Sequence, residues 1–75
     1  MNVPINERTL IARVRRTLRK AGEDLRISTP EQRKAAGFGK YHLLDSEGII
    51  DKDVDIEVLA RELSVLQPWE TFSGH

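Results

Sequence analysis

The sequence predicts a small α+β domain, with helices over about residues 6–21 and 55–66 packed on a two- or three-stranded antiparallel sheet. Three observations predict this fold. Apolar residues recur at helical spacing in both helical segments, a turn signal separates two apolar runs within residues 40–54, and 75 residues suffice for one domain. We therefore expect residues 1–75 to form a single domain whose last residues, 71–75, are a disordered tail.

The first helix is predicted to begin near Asn6, because asparagine often accepts the free amide hydrogens at a helix start. Ile5 before it and Leu10 after it have the spacing of a hydrophobic staple. The apolar side chains then form one stripe, made of Leu10, Ile11, Val14, Leu18, Ala21 and Leu25. Basic residues fill the outer face, and Gly22 is the natural end of the helix. Leu25 fits either a last frayed turn or the segment that follows.

Residues 25–36 are compatible with strand, helix or loop. The alternation of apolar and basic side chains over residues 25–27 is typical of a short strand. Thr29-Pro30-Glu31-Gln32 matches a capping box with proline at the first helical position, which favours a helix over residues 30–36. The polar composition of that helix favours a loop about equally.

The clearest local signal is a β-hairpin. Apolar runs at Tyr41–Leu44 and Ile49–Ile50 surround Asp45-Ser46-Glu47-Gly48. Aspartate at the first turn position and glycine at the fourth suit a type I turn with glycine in the left-handed region.

The last helix is predicted to follow Asp53 or Asp55, either of which can cap it. Pro68 is expected to stop the helix, and Trp69 to fold back onto the sheet or the helix end. One buried face is expected to hold Ile56, Leu59, Ala60, Leu63 and Leu66.

Composition excludes several classes of protein. The absence of cysteine excludes a disulfide framework, a thiolate metal site and a cysteine nucleophile. The first residues lack the features of a signal peptide, and no apolar run reaches the roughly 18 residues of a membrane span, so we expect a cytoplasmic protein.

The net charge is zero but unevenly distributed. Residues 1–40 carry 10 basic and 4 acidic side chains, and residues 41–75 carry 2 and 8. Such asymmetry indicates either a basic surface for nucleic acid or two halves that attract each other, within one domain or between subunits.

The second half of the chain resembles a group of short, uncharacterised bacterial proteins. The resemblance rests on Tyr41-His42-Leu43-Leu44-Asp45 and on residues 54–70, most specifically on Pro68-Trp69-Glu70. Some proteins of that group lie in mobile or phage-like regions. The resemblance implies a bacterial source and supplies no active-site residues.

The basic face of the first helix is one candidate site. Arg15, Arg16, Arg19 and Lys20 are the candidate nucleic-acid-binding residues, because arginine contacts phosphate through charge and forked hydrogen bonds. No recognition helix is evident, so binding would favour phosphates over bases. The alternative is the ordinary charged outer face of a soluble helix.

Two further motifs favour structural interpretations. Residues 37–41 share only a Gly-Phe-Gly core with the aromatic RNA-binding strand motif, so Phe38 and Tyr41 are predicted core residues. The acidic residues of segment 51–62 match the carboxylate spacing of a calcium-binding EF-hand loop, but Ile56 stands where that loop needs glycine. We therefore predict a capped helix start and no metal site, although the sequence does not exclude a bound cation.

Catalysis has little support in the sequence. His42 lies among apolar residues, and neither Ser46 nor Ser64 has a partnered base. We predict no enzymatic activity, no cofactor, no small-molecule substrate and no membrane partner. The leading hypothesis is a protein-interaction or accessory module that binds a partner or itself, with Trp69 and Phe72 as candidate partner-binding residues. Weak, phosphate-directed nucleic-acid binding is the alternative.

Overall fold

The fold consists of eight short elements over residues 2–73, which the computed structural model describes. In chain order they are β1 (Val3–Ile5), α1 (Glu7–Lys20), β2 (Glu23–Ile27), α2 (Pro30–Ala36), β3 (Tyr41–Asp45), β4 (Gly48–Asp51), α3 (Ile56–Glu62) and β5 (Glu70–Phe72). Strands β2, β3 and β4 form an antiparallel sheet in that order, and β1 pairs with β5 in parallel. The predicted α+β class and antiparallel sheet are confirmed.

Helix α1 forms as the sequence predicts. The Asn6 side chain accepts the amide hydrogen of Thr9 at 2.8 Å, which satisfies one of the free donors at the helix start. The helix ends at Lys20, and Gly22 follows with φ of +77°, a conformation that glycine adopts without steric cost. Leu25 belongs to the next element, strand β2, where it is buried.

Residues 25–27 belong to strand β2, and residues 30–36 form helix α2. The predicted capping box is present in α2: Thr29 accepts the amide hydrogen of Gln32, and the Gln32 side chain accepts that of Thr29. Gly37 closes the helix with φ of +70°. Helix α2 buries none of its side chains, so it depends on this local capping more than on packing.

The hairpin of β3 and β4 is also confirmed. Asp45 Oδ1 accepts amide hydrogens from Glu47 and Gly48 at 2.8 and 3.2 Å, which fixes the turn. The register then shifts, since Leu44 pairs with Ile49 and Leu43 with Asp51, and this leaves one extra residue as a bulge in β4.

The C-terminal helix is shorter than predicted. Helix α3 ends at Glu62, and not at residue 66 before Pro68, because Ser64 takes φ of +60° and turns the chain out of the helix. Leu66 is buried nevertheless, since the loop returns it to the core. The apolar periodicity correctly predicted burial but overestimated the helix.

The prediction of a disordered tail at residues 71–75 is wrong for the part that the structure describes. Strand β5 pairs with β1, so that Ile5 lies opposite Phe72. Both side chains are buried, and this burial holds the two ends of the chain together. Gly74 and His75 lie outside the described residues.

The core lies between α1, α3 and the sheet. Helix α1 contacts both β2 and α3. The buried apolar side chains are Ile5, Leu10, Val14, Leu18, Leu25, Tyr41, Ile56, Ala60, Leu66 and Phe72. None of the helices within residues 2–73 combines the length and the apolar character needed to cross a membrane.

Candidate functional site

Helix α1 directs its basic residues outward because its apolar stripe is buried. Leu10 and Val14 are 0% exposed, and Leu18 is also buried. Side chains on the opposite side of a helix then face water. The exposed positions of α1 are Arg8, Thr9, Ala12, Arg16, Arg19 and Lys20.

Arg13 is not free on this surface. Its Nη1 donates to both Glu70 carboxylate oxygens, at 2.9 and 3.0 Å, and to the Val65 carbonyl at 3.1 Å. Glu70 is only 8% exposed and also accepts the Gln67 amide hydrogen at 2.9 Å. The Gln67 amide, with the Arg13 guanidinium, holds the pKa of Glu70 below its usual range despite the opposing effect of burial. Arg13 thus ties α1 to the C-terminal strand.

Arg15 is likewise engaged within the fold. Its Nε donates to Asp24 Oδ1 at 2.9 Å, and Arg26 donates to Asp24 Oδ2 at 3.1 Å. Burial raises the pKa of Asp24, but hydrogen bonds from Arg15, from the Leu25 amide and from Arg26 together outweigh it and lower the pKa. Of the predicted nucleic-acid-binding residues, Arg15 therefore has a structural partner.

The other predicted residues on α1 have no acidic partner. Arg16, Arg19 and Lys20 form no ion pair with any residue in the 2–73 range, and the same holds for Arg8. Two shallow clefts lie between these side chains, of about 480 and 380 Å³, and Ala12 lines both. The structure therefore brings most of the predicted basic residues together around an open floor.

A groove between the β3–β4 hairpin and α3 is a second candidate surface. It has a volume of about 260 Å³, and its apolar lining consists of Leu43, Val54, Val58 and Leu59. Its rim carries four exposed carboxylates, those of Asp51, Asp53, Asp55 and Glu62. We call these eight residues the acidic groove.

The carboxylates of the acidic groove do not form a metal site. Asp55 caps α3 by accepting the amide hydrogens of Glu57 and Val58, at 3.0 and 3.2 Å. Asp51 accepts the Asp53 amide hydrogen at 3.1 Å. In the part of the chain that the structure describes, no three acidic or histidine side chains converge as metal ligands would. The predicted helix cap at Asp55 is confirmed.

Sequence analysis missed a buried pair of polar side chains. Ser28 Oγ lies 2.8 Å from His42 Nδ1, and the two residues are 3% and 5% exposed. The Phe38 ring packs edge-on against the His42 ring, with 4.9 Å between the ring centroids. A serine beside a histidine is the arrangement of an activated nucleophile, but a substrate cannot reach a pair so deeply buried. The pair satisfies the hydrogen-bonding needs of two polar groups inside the fold.

Of the two predicted core residues near the start of β3, Tyr41 is buried as predicted, whereas Phe38 is only half-buried and lies outside the core cluster. Tyr41 is buried in the core, and its hydroxyl has no hydrogen-bond partner among the described residues. Burial raises the pKa of Tyr41. Lys40 Nζ donates to Glu7 Oε2 at 2.8 Å, and this hydrogen bond lowers the pKa of Glu7 and raises that of Lys40.

The two predicted partner-binding residues have different environments. Trp69 is 57% exposed, so it does not fold back onto the sheet or the helix end as predicted. It stays a predicted contact residue. Phe72 is 7% exposed because β5 places it against the core, and its contact with a partner also stays a prediction.

Comparison of the chain with protein-family models, with curated proteins and with solved structures finds no match. The resemblance to short bacterial proteins and the cytoplasmic location therefore stay predictions. Function has to be inferred from the two surfaces, one basic and one acidic.

The sequence held a signal for the acidic groove that we did not use. Val58 interrupts the polar side of α3, while residues 51, 53, 55 and 62 surround it with carboxylates. An apolar residue off the helix stripe, among unpaired charges, indicates a surface and not a core.

Proposed function

We propose that the protein is a non-enzymatic interaction module whose acidic groove binds a segment of a partner protein that carries both basic and apolar residues. The proposal rests chiefly on one observation: among residues 2–73, an apolar groove that exposes Val58 is edged by four carboxylates that form no ion pair.

The apolar floor is continuous with the core. Leu43, Val54 and Leu59 are partly buried and pack against core residues, which makes the floor firm. Val58 rises from it with 53% of its surface exposed. Covering this side chain would remove apolar surface from water, which is the main favourable contribution in most protein association.

The acidic rim indicates that the partner segment is positively charged. None of the four rim carboxylates forms an ion pair with a residue of the described chain. Lys52, which lies between two of them in sequence, directs its ammonium group towards the Phe38 ring at 5.7 Å. Four like charges around one groove repel one another, and a cationic ligand relieves that repulsion.

The occupant that fits best is a different protein and not a second copy. The exposed face of α1 supplies the opposite charge, but apart from its basic residues it exposes only Thr9 and Ala12. Neither side chain is large enough to cover Val58. A partner segment with apolar residues beside lysine or arginine meets both requirements.

The test is an NMR titration of the 15N-labelled protein with a synthetic twelve-residue peptide of lysine and leucine. We expect chemical-shift changes centred on Leu43, Val54 and Val58, which weaken as salt rises because the rim contacts are exposed. A peptide with aspartate in place of lysine should cause none. Shifts centred elsewhere, or equal binding of the aspartate peptide, would contradict the proposal.

Two matched variants isolate the rim. Asp53→Asn with Glu62→Gln removes two rim charges and should weaken peptide binding about fivefold, from roughly 0.5 kcal/mol per exposed ion pair. Glu31→Gln with Glu47→Gln removes two exposed charges outside the acidic groove and should leave binding unchanged. Light scattering of the protein alone should show a monomer, whereas a dimer that buries Val58 would assign the groove to self-association.

A further inference from the structure

The outward face of α1 carries a group of cations that the acidic groove does not explain. We call Arg8, Ala12, Arg16, Arg19 and Lys20 the arginine face. Its four cations make no ion pair among residues 2–73, whereas the neighbouring arginines do. Arg13 pairs with Glu70 and Arg15 with Asp24. The fold therefore engages the arginines at the edges of this face and leaves its centre unneutralised.

The spacing of these cations is unfavourable for an isolated helix. Arg16 and Lys20 stand four residues apart, and Arg16 and Arg19 stand three apart, so these cations lie on the same side of the helix. Like charges at this spacing destabilise a helix, and an acidic residue at either position would have stabilised it. A polyanion bound across this face would remove the repulsion.

Ala12 leaves space for an anion among the arginines. It lies four residues from both Arg8 and Arg16, and it lines both clefts on this face. A longer side chain here would occupy the space between the guanidinium groups. Guanidinium groups around an open floor suit phosphate oxygens, which they bind through paired hydrogen bonds.

The length of the arginine face indicates an extended ligand. Arg8 and Arg19 are eleven residues apart, a rise of about 16 Å along the helix. A single phosphate spans only part of that distance, whereas a nucleic-acid backbone presents phosphates along all of it.

Membrane binding is the less suitable alternative. An amphipathic helix binds a bilayer by burying its apolar face among the lipids. The apolar face of α1, formed by Leu10, Val14 and Leu18, is already buried in the core. Only charge would remain to hold a membrane, while a nucleic-acid backbone needs no more than charge and hydrogen bonds.

We propose that the arginine face binds the phosphate backbone of duplex nucleic acid without sequence preference. Apart from Thr9 and Ala12, the exposed side chains of α1 are all cations, and cations are attracted to phosphates whatever the base sequence. Because the groove and the arginine face share no residue, this proposal stands independently of the proposed function.

The test is fluorescence anisotropy of a labelled 20-base-pair DNA duplex, titrated with the protein from 50 mM salt upwards. Four phosphate contacts predict that the logarithm of the binding constant falls against the logarithm of salt with a slope of about −3.6. No anisotropy change at 50 mM salt would overturn the proposal. So would equal or tighter binding of phosphatidylserine vesicles.

Matched charge reversals locate the contact. Arg16→Glu with Arg19→Glu should weaken DNA binding more than tenfold. Arg33→Glu with Lys34→Glu makes the same change of charge on α2 and should have less than a twofold effect. Equal losses would show that only net charge matters and would overturn the assignment to α1. Circular dichroism checks that each exposed double variant remains folded.

A last variant separates the two proposals. Asp53→Asn with Glu62→Gln, which should weaken the lysine–leucine peptide, leaves the arginine face unchanged. We expect this protein to bind DNA as tightly as the wild type or slightly more tightly, since two negative charges are lost. Loss of DNA binding in this variant would show that the duplex does not bind at the arginine face.

Discussion

The end of α3 offers a sharp test of the fold, because a serine occupies a position that glycine usually fills. Ser64 has φ of +60° and is the one non-glycine residue with positive φ in the described chain. The Val65 amide donates to the Ala60 carbonyl at 2.9 Å, and the Ser64 amide to the Arg61 carbonyl at 3.1 Å. These two hydrogen bonds are those of the Schellman motif.

Replacing Ser64 with glycine should stabilise the protein. The left-handed conformation costs a residue with a Cβ roughly 1–2 kcal/mol, and glycine escapes this cost. Glycine also has more freedom in the unfolded chain, which returns about 0.5–1 kcal/mol. The Ser64 backbone groups, and not its hydroxyl, make its hydrogen bonds among residues 2–73. The expected net gain is therefore about 0.5–1 kcal/mol.

Urea denaturation measures this gain. For a protein of this size, with an m-value of about 1 kcal/mol/M, the unfolding midpoint of Ser64→Gly should rise by about 0.5–1 M. Ser46→Gly is the matched control, because Ser46 is exposed in the hairpin turn and lacks positive φ. That change should lower the midpoint. A lower midpoint for Ser64→Gly, or equal shifts in both variants, would refute the proposed end of α3.

Two further variants probe contacts that only the tertiary structure provides. Glu70→Gln should be destabilised most at neutral pH and should converge with the wild type as pH falls below about 4. The reason is that a carboxyl group whose pKa is lowered in the folded state stabilises the fold above its unfolded-state pKa and loses that effect as it protonates. A destabilisation that does not change with pH, measured in thermal melts from pH 3 to 7, would contradict the Arg13 contact. Gly39→Ala should cost about 1–3 kcal/mol in urea denaturation, because the new Cβ would overlap the Asp53 carboxyl group and lie 3.1 Å from the Asp53 Cα. An unchanged midpoint would show that this loop has room to spare.

Local signals predicted α1 and the hairpin well. Asn6 caps the amide of Thr9 three positions later, and the Gly22 end and each step of the apolar stripe also involve residues close in sequence, so neighbours in sequence decide them. The same is true of the hairpin turn, which Asp45 and Gly48 fix by themselves. These elements could be read without knowing what packs against them.

The same local signals did not predict the strands that pair over long distances in sequence. Strands β1 and β5 are three residues each, and their partners lie 67 positions apart, as for Val3 and Glu70. A single short strand carries too little periodicity to be recognised, and Phe72 resembled part of a tail for that reason. The prediction of where α3 ends failed for a similar reason, because Ser64 takes its positive φ where the chain leaves the helix to return to β5.

The sequence by itself determined that a basic helix face exists, since charge and apolar periodicity are properties of neighbouring residues. Which basic residues remain free was decided only in the tertiary structure, where Glu70 and Asp24 reach Arg13 and Arg15 from other elements. The acidic groove has the same origin, because its floor and rim meet only when α3 packs beside the hairpin. The order of charges along the chain is a property of the sequence, but which charges are neutralised depends on distances that form only on folding.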